Sequence, residues 1–285
     1  MAAQGSGGAG GREVVAGLLS RLGLYLFVVV VSAYFALPML WLLLTPFSTR
    51  PSLAATLPGV TLDNFRGVFE NPYVLTSLRN SLLLALYTMA LVVASATLAA
   101  YALSRVRLPG RDLLLYVLLL FSSVVSGTAA MVPLFLLMFQ LDLVNTYLGV
   151  TLALTGGLLP AAIFILKDFM DGTPASYEES ARVFGASPLQ VLRDVVAPLV
   201  RPGLAVIAVW TLVNVWGNFL MPFILLRDPD VAPASVVMFS FYTEGGQANL
   251  RLLAAFSLLY SVPVVLLYVF VNRRYGFRFY GGIKR

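Results

Sequence analysis

The 285-residue sequence has no cysteine and no histidine. Those two absences remove Cys/His metal sites, thiol chemistry, disulfides and every catalytic triad that uses imidazole as its base. Lysine occurs only at Lys167 and Lys284, and charged residues of both signs make up just 11% of the chain. So few polar side chains cannot cover the outside of a water-soluble fold. What is abundant is apolar: 59% of residues, with a mean hydropathy of +0.88. The expectation is a protein of the lipid bilayer that binds lipid and no nucleic acid. The net charge of +6 then follows from the arginine-rich loops of a membrane protein and needs no polyanionic partner.

A hydrocarbon core roughly 30 Å thick takes about 20 apolar helical residues to cross. Six stretches without Asp, Glu, Lys or Arg meet that length: Leu22 to Leu44, Ser81 to Leu103, Leu113 to Phe139, Tyr147 to Leu166, Leu204 to Leu226, and Leu252 to Val271. None shows the ten-residue alternation of a membrane barrel, so the fold class is all-α, a polytopic membrane protein with six transmembrane helices. The first span has no clean cleavage site after it and reads as a retained anchor. Lys and Arg divide fourteen to five between the two sides of this arrangement, which puts both termini in the cytoplasm. An even number of spans requires the same. The organisation is then a cytoplasmic tail over residues 1–21, a permeation domain over 22–271 and a cytoplasmic tail over 272–285. The Gly/Ala/Ser-rich start of the first tail has nothing to bury and is expected to be disordered.

Between the fourth and fifth spans, Lys167 to Arg201 is a polar insertion with helical punctuation. Ser176 and Glu179 have capping-box spacing, with Pro174 suited to a helix start, and a short helix is expected to run to about Phe184. Gly185 follows as a left-handed C-terminal stop. Ser187, Pro188 and Gln190 repeat the start signal. The second helix carries Leu189, Leu192, Val196 and Leu199 at offsets that share one helical face. On the outer side, Thr45 to Asn80 reads as partly helical, while Arg227 to Leu250 either reaches a partner or simply connects two helices.

Glu179-Ser180-Ala181, then Gly185, Val195 and Pro198, is similar to the EAA loop, E-A-A-x3-G-x9-I-x-L-P, of ABC importer permeases. The resemblance extends through Thr61-Leu62-Asp63-Asn64-Phe65, Arg79-Asn80-Ser81-Leu82, Ala100-Tyr101-Ala102-Leu103-Ser104-Arg105, Val132-Pro133-Leu134-Phe135 and Asn145-Thr146-Tyr147-Leu148-Gly149. These are similar to the maltose-type carbohydrate-uptake permeases, in particular to their smaller six-span subunit. Ser180 and Phe184 stand where relatives commonly have alanine and aspartate, and Trp216-Gly217-Asn218-Phe219 where many have W-N-D-F.

The resemblance implies a type I importer fold whose short loop helix is a coupling helix, seated in a groove of a cytoplasmic ATPase. Glu178, Glu179, Ser180, Ala181, Gly185 and Pro198 would then couple to that ATPase, both glutamates contacting it. The tail residues Gly281, Gly282, Ile283 and Lys284 would reach the same partner. Implied partners are a second homologous permease, two ABC ATPase subunits and an extracytoplasmic solute-binding protein. ATP and magnesium would bind the ATPase. This chain, which has no G-x4-G-K-[ST] sequence, would hold no cofactor and catalyse no reaction. The function implied is translocation of an oligosaccharide or polyol, with glycerol phosphates or phosphodiesters as the alternative cargo and an ATP-independent carrier as the rival class. For recognition inside the membrane, Trp210, Asn214, Trp216 and Asn218 are candidates, because an aromatic beside amides suits a sugar. Interhelical hydrogen bonding explains the same residues slightly better, since the resemblance implies that the other permease subunit holds most of the sugar.

Overall fold

The computed structural model describes residues 7–49, 59–106, 109–125, 128–242 and 249–275. The tail candidates Gly281, Gly282, Ile283 and Lys284 lie outside them. Thirteen α-helices are seen among the described residues. In chain order they are α1 (Gly7–Leu44), α2 (Asp63–Phe69), α3 (Tyr73–Arg105), α4 (Arg111–Val125), α5 (Met131–Gln140), α6 (Tyr147–Asp171), α7 (Ser176–Val183), α8 (Pro188–Gln190), α9 (Ala197–Leu199), α10 (Arg201–Trp216), α11 (Leu220–Leu225), α12 (Ala234–Val237) and α13 (Leu250–Tyr275).

Among the described residues, four helices are long and apolar enough to cross a membrane without interruption, in α1, α3, α6 and α13. The predicted third and fifth spans are each broken. The third divides into α4, which ends at Val125, and α5, which begins at Met131. The fifth ends at Trp216 and restarts at Leu220. Pro222 explains that restart: with no N–H, it fits without loss only in a first turn, so a new helix begins just before it. Asn218 caps the new helix, its Oδ1 accepting from the Met221 amide at 3.1 Å. Of the start expected to be disordered, Gly7 to Gly11 are helical as part of α1, and residues 1–6 lie outside the described residues. A nucleated helix adds one hydrogen bond per residue as it grows, and Arg12 to Arg21 contains good helix formers.

α3, α6 and α10 form the centre of the bundle, with α4 against α6. One apolar cluster joins Val92, Ala96 and Ala100 of α3, Ile163, Leu166 and Met170 of α6 and Ile207 of α10. A second joins Leu84 and Ala85, Val150 and Leu154, Val215, and Met221 and Leu225 of α11. A third, containing Val68, Val74, Phe241 and Phe256, seats α2 and the start of α13 beside α3. No residue in the apolar stretch of α1 is fully buried, although Val31, Trp41 and Leu42 are half-buried and α1 touches α13.

Asparagines stitch the loops at the end of the bundle that carries α2 and α12. Asn80, fully buried in α3, donates to the carbonyls of Asp230 (2.8 Å) and Ala232 (3.1 Å), and Ser81 Oγ accepts from the Ala234 amide at 2.8 Å. Asn145, at φ 61°, accepts from the amides of Arg227 and Asp228. Asn64 donates to Pro46 and Ser48 carbonyls. The first part of the Arg227 to Leu250 loop is therefore a tied connector; residues 243–248 lie outside the description.

Gly149, in the first turn of α6, is held against backbone: a Cβ there would lie 2.2 Å from the Leu143 carbonyl oxygen. A main-chain oxygen cannot swing aside as a side chain does. Gly149→Ala is expected to cost about 1–3 kcal/mol or more, the range for overpacking, and to lower the thermal midpoint of the detergent-purified protein.

Candidate functional site: the loop between α6 and α10

The chain leaves α6 at Asp171 and reaches α10 at Arg201 through two short helical segments separated by a glycine turn. The first is α7. Its expected Ser176–Glu179 capping box does not form: Ala175 takes the cap position in helical conformation, and its carbonyl accepts from the amides of Glu178 and Glu179, both at 3.0 Å. Ser176 is thereby already inside the helix, and its carbonyl accepts from Ser180 Oγ at 2.9 Å. The serine where relatives have alanine is accommodated on an exposed face.

The end of α7 is as expected. Gly185 has φ 85°, its amide donates to the Arg182 carbonyl at 2.9 Å, and the Ala186 amide donates to the Ala181 carbonyl at 3.1 Å. This pair of bonds is the Schellman arrangement, which needs a left-handed residue at its centre. Ser187 and Gln190 then form the reciprocal capping box the sequence predicts, with Pro188 at the first helical position.

The next segment departs from expectation. Between α8 and α9, Val191–Val196 is π-helical. The buried side chains are Val191, Leu192, Val196 and Val200, while Leu189 and Leu199 are exposed. Of the face expected from an α-helical period, Leu192 and Val196 are buried as predicted, but Leu189 and Leu199 are not, because the wider turn brings Val191 into register with Val196. Pro198 supplies a local reason. It offers no N–H to the carbonyl four residues back, so a regular α-helix would leave that group unpaired. Pro198 itself is half-buried in the first turn of α9.

Val191, Leu192 and Val196 belong to the same apolar cluster as α3, α6 and α10, and Ala181 and Ala186 pack on its edge. The loop is thus continuous with the bundle core. Its opposite face is open: Phe184 is 91% and Val183 85% exposed, with Tyr177 and Leu189 beside them in sequence and also exposed. Glu179 is exposed too, and Arg193 pairs in bidentate fashion with Asp194 on the surface, its guanidinium hydrogen-bonding the Asp194 carboxyl and holding it below the usual carboxylate range.

Glu178 does not face outward as predicted. It is 3% exposed and turned into the protein, where Arg105 Nε donates to its Oε1 at 2.6 Å and the Tyr101 hydroxyl donates to its Oε2 at 3.0 Å. Arg105 also donates from Nη2 to the Thr173 carbonyl at 3.2 Å and from Nη1 to Ser104 Oγ at 3.0 Å. Ser104 Oγ in turn donates to Asp171 Oδ1 at 2.5 Å, and Lys167 pairs with the other oxygen of Asp171. Sequence reasoning missed Tyr101, Ser104 and Arg105 as partners of this loop, although all three lie in the Ala100–Arg105 motif.

The four candidates for a solute path are not brought together. Trp216 is buried, donating from Nε1 to the Tyr260 carbonyl at 3.1 Å, while the Tyr260 hydroxyl donates to the Trp216 carbonyl and the rings stack 5.4 Å apart. Asn218 lies beyond the end of α10 as the cap of α11, so it does not share a helical face with Asn214. Asn214 is exposed and donates to the Trp210 carbonyl one turn back, and Trp210 packs against the inner cluster. A groove of about 440 Å³ lies elsewhere, lined by Met131, Val132, Phe135, Phe223, Ile224 and Arg227, with the Arg227 guanidinium 5.2 Å from the Phe135 ring centre. Among the described residues, no cluster of three carboxylates or other metal-ligating side chains occurs.

Residues 97–277 match the family model described as binding-protein-dependent transport system inner membrane component. The chain is 31% identical to the maltodextrin transport system permease protein MdxG of Bacillus subtilis, over 90% of this chain and 94% of that protein. It is 29% identical to the galactooligosaccharides transport system permease protein GanQ of the same organism, over 88% and 90%. In three dimensions it is similar to a subunit of a bacterial ABC transporter involved in the import of the acidic polysaccharide alginate, with a TM-score of 0.75 at 20% identity, covering 96% of this chain and all of that one.

Proposed function

The chain belongs to the binding-protein-dependent transport system inner membrane components, multi-pass permeases of ABC importers, and from that membership we propose that it translocates a carbohydrate delivered by an extracytoplasmic binding protein. The observation that carries the reading is the loop between α6 and α10. A rigid knuckle, rooted in the bundle core, presents exposed Val183 and Phe184 that are not covered by any of the described residues. Apolar side chains of that size, exposed beside a turn fixed by glycine, suit a protein groove.

In this reading the knuckle is cytoplasmic, as are both termini, following the fourteen-to-five division of basic residues. It seats on an ABC ATPase, which binds the ATP and magnesium. A second, homologous permease and its own ATPase complete the assembly. Closure of the ATPase pair draws the two knuckles together. Because α3, α6, α10 and the loop share one apolar cluster, that displacement tilts the helices and alternates access to the solute. Ser180, Ala181 and Pro198 shape the knuckle, Gly185 turns it and Glu179 lies on its outer surface. The maltodextrin and galactooligosaccharides named for the relatives support a sugar as cargo. Of the solute-path candidates, exposed Asn214 and half-buried Trp210 suit the role best, since Trp216 is buried against Tyr260 and Asn218 gives its Oδ1 to the Met221 amide.

The test is reconstitution. The complex extracted gently from its native membrane, placed in liposomes with its binding protein, is expected to accumulate a labelled oligosaccharide only when ATP is supplied on the ATPase side. Solute flux indifferent to nucleotide would sink the reading.

A further inference from the structure

The loop between α6 and α10 has two anchors of different chemistry. At its exit, Val191, Leu192 and Val196 are embedded in the apolar cluster with α6 and α10. At its entrance, α7 is only eight residues long, and the connection from Gly172 to Ala175 that precedes it is exposed or half-exposed. What ties α7 to the end of α3 is Glu178, the one fully buried side chain of the helix, while Ala181 packs on the edge of the apolar cluster.

We infer that Arg105 is a positioning residue of the transport cycle: with Glu178 it clamps α7 to the end of α3, so that movement of the knuckle is delivered to α3 and α6 instead of being absorbed in the loop. The inference rests on the proposed seating of the knuckle on an ATPase. The geometry is that of a clamp because the three donors of Arg105 go to three different elements. Nε reaches Glu178 on α7, Nη2 the Thr173 carbonyl in the connection, and Nη1 Ser104 on α3. Ser104 extends the network to Asp171 at the end of α6, where Lys167 holds the other carboxylate oxygen. Tyr101 completes Glu178 from one turn earlier on α3. A planar guanidinium satisfies this divergent set as a single rigid group, which a lysine ammonium does not. The Glu178 and Arg105 side chains are 4% and 18% exposed, so solvent does not screen the pair as it does a surface ion pair.

The experiment uses the whole complex in liposomes and reads the ratio of solute moved to ATP hydrolysed. Arg105→Ala is expected to lower that ratio roughly tenfold, within the range found for residues that carry coupling between sites. Arg105→Lys, which keeps the charge but loses the divergent contacts, should fall between that variant and the parent. The exchange Arg105→Glu with Glu178→Arg should recover part of the loss. A residue that only stabilised the fold would reduce the amount of complex recovered and leave the ratio unchanged. An unchanged ratio in Arg105→Ala therefore overturns the inference. Should Arg105→Ala fail to assemble, a parental ratio in Arg105→Lys overturns it equally, and a lowered one supports it. A parent complex that contains no ATPase would instead overturn the functional reading beneath it.

Discussion

Replacing Gly185 with valine is expected to stop ATP-driven uptake while leaving the permease inserted and its bundle intact. The residue sits at φ 85°, and nothing lies within 4 Å of where a Cβ would point. The substitution therefore creates no clash, and its whole effect is on the backbone. A left-handed conformation costs an L-residue about 1–2 kcal/mol, and a β-branched side chain is a marked outlier there. Valine thus drives the turn into another conformation and breaks the two Schellman bonds through which Ala181 and Arg182 set the exit of α7. Val183 and Phe184, next to the turn, are then presented differently. The anchors on either side, the Glu178 clamp and the Val191–Val196 face, contain no part of the turn and should persist. Gly185→Ala should be milder, because alanine bears the left-handed cost without the branched-chain penalty. Uptake at the parental rate by the valine variant, at equal amounts of inserted protein, would contradict this account.

The second large effect is expected at Phe184. Its ring is 91% exposed, so Phe184→Glu removes no internal contact and should leave the thermal midpoint of the isolated permease within the small range of surface substitutions. If the ring seats in an ATPase groove, the same change forfeits a buried aromatic anchor and places a charge in its pocket. Loss of such an anchor is worth on the order of 2 kcal/mol or more, about thirtyfold in affinity. Affinity capture of the permease should then yield little ATPase. Full recovery of ATPase with Phe184→Glu would place the docking surface elsewhere.

The parts of this architecture visible in sequence are those that depend on local chemistry. Long charge-free runs identify all six apolar segments, Gly185 marks a left-handed stop, and Ser187 with Gln190 marks a capping box, because each signal is complete within a few residues. The breaks in the third and fifth segments escape a hydropathy reading, which sees apolar character and not hydrogen bonding. The information was nonetheless present in Pro222 and the preceding Gly217 and Asn218. The apolar face of the second loop helix was partly misassigned because its period is not that of an α-helix between Val191 and Val196. Glu178 illustrates a different limit. Its partner is 73 residues earlier, on a helix that the fold alone brings opposite, so a glutamate in the first turn of a polar helix looked like a surface contact. Asn218, four residues on from Asn214, shares a face with it only in an unbroken helix, and α10 ends at Trp216.

The resemblance motifs acquire a physical role of their own. Asn64, Asn80 and Asn145 each use a side-chain amide to satisfy two backbone groups of a distant loop, and Ala100 to Arg105 supplies the clamp on α7. Motifs that identify the family are, in this molecule, the places where connecting segments are fastened to the bundle. That fastening is what a mechanical device requires: slack in a loop would dissipate displacement before it reached the helices.

A photo-crosslinking amino acid introduced at Phe184, activated in membranes that contain the native assembly, tests the central claim most directly. The account predicts a single dominant adduct between this chain and a subunit carrying a nucleotide-binding P-loop, diminished by the Gly185→Val change. Adducts with lipid alone, or with no nucleotide-binding protein, while the same membranes continue to accumulate solute, would contradict it.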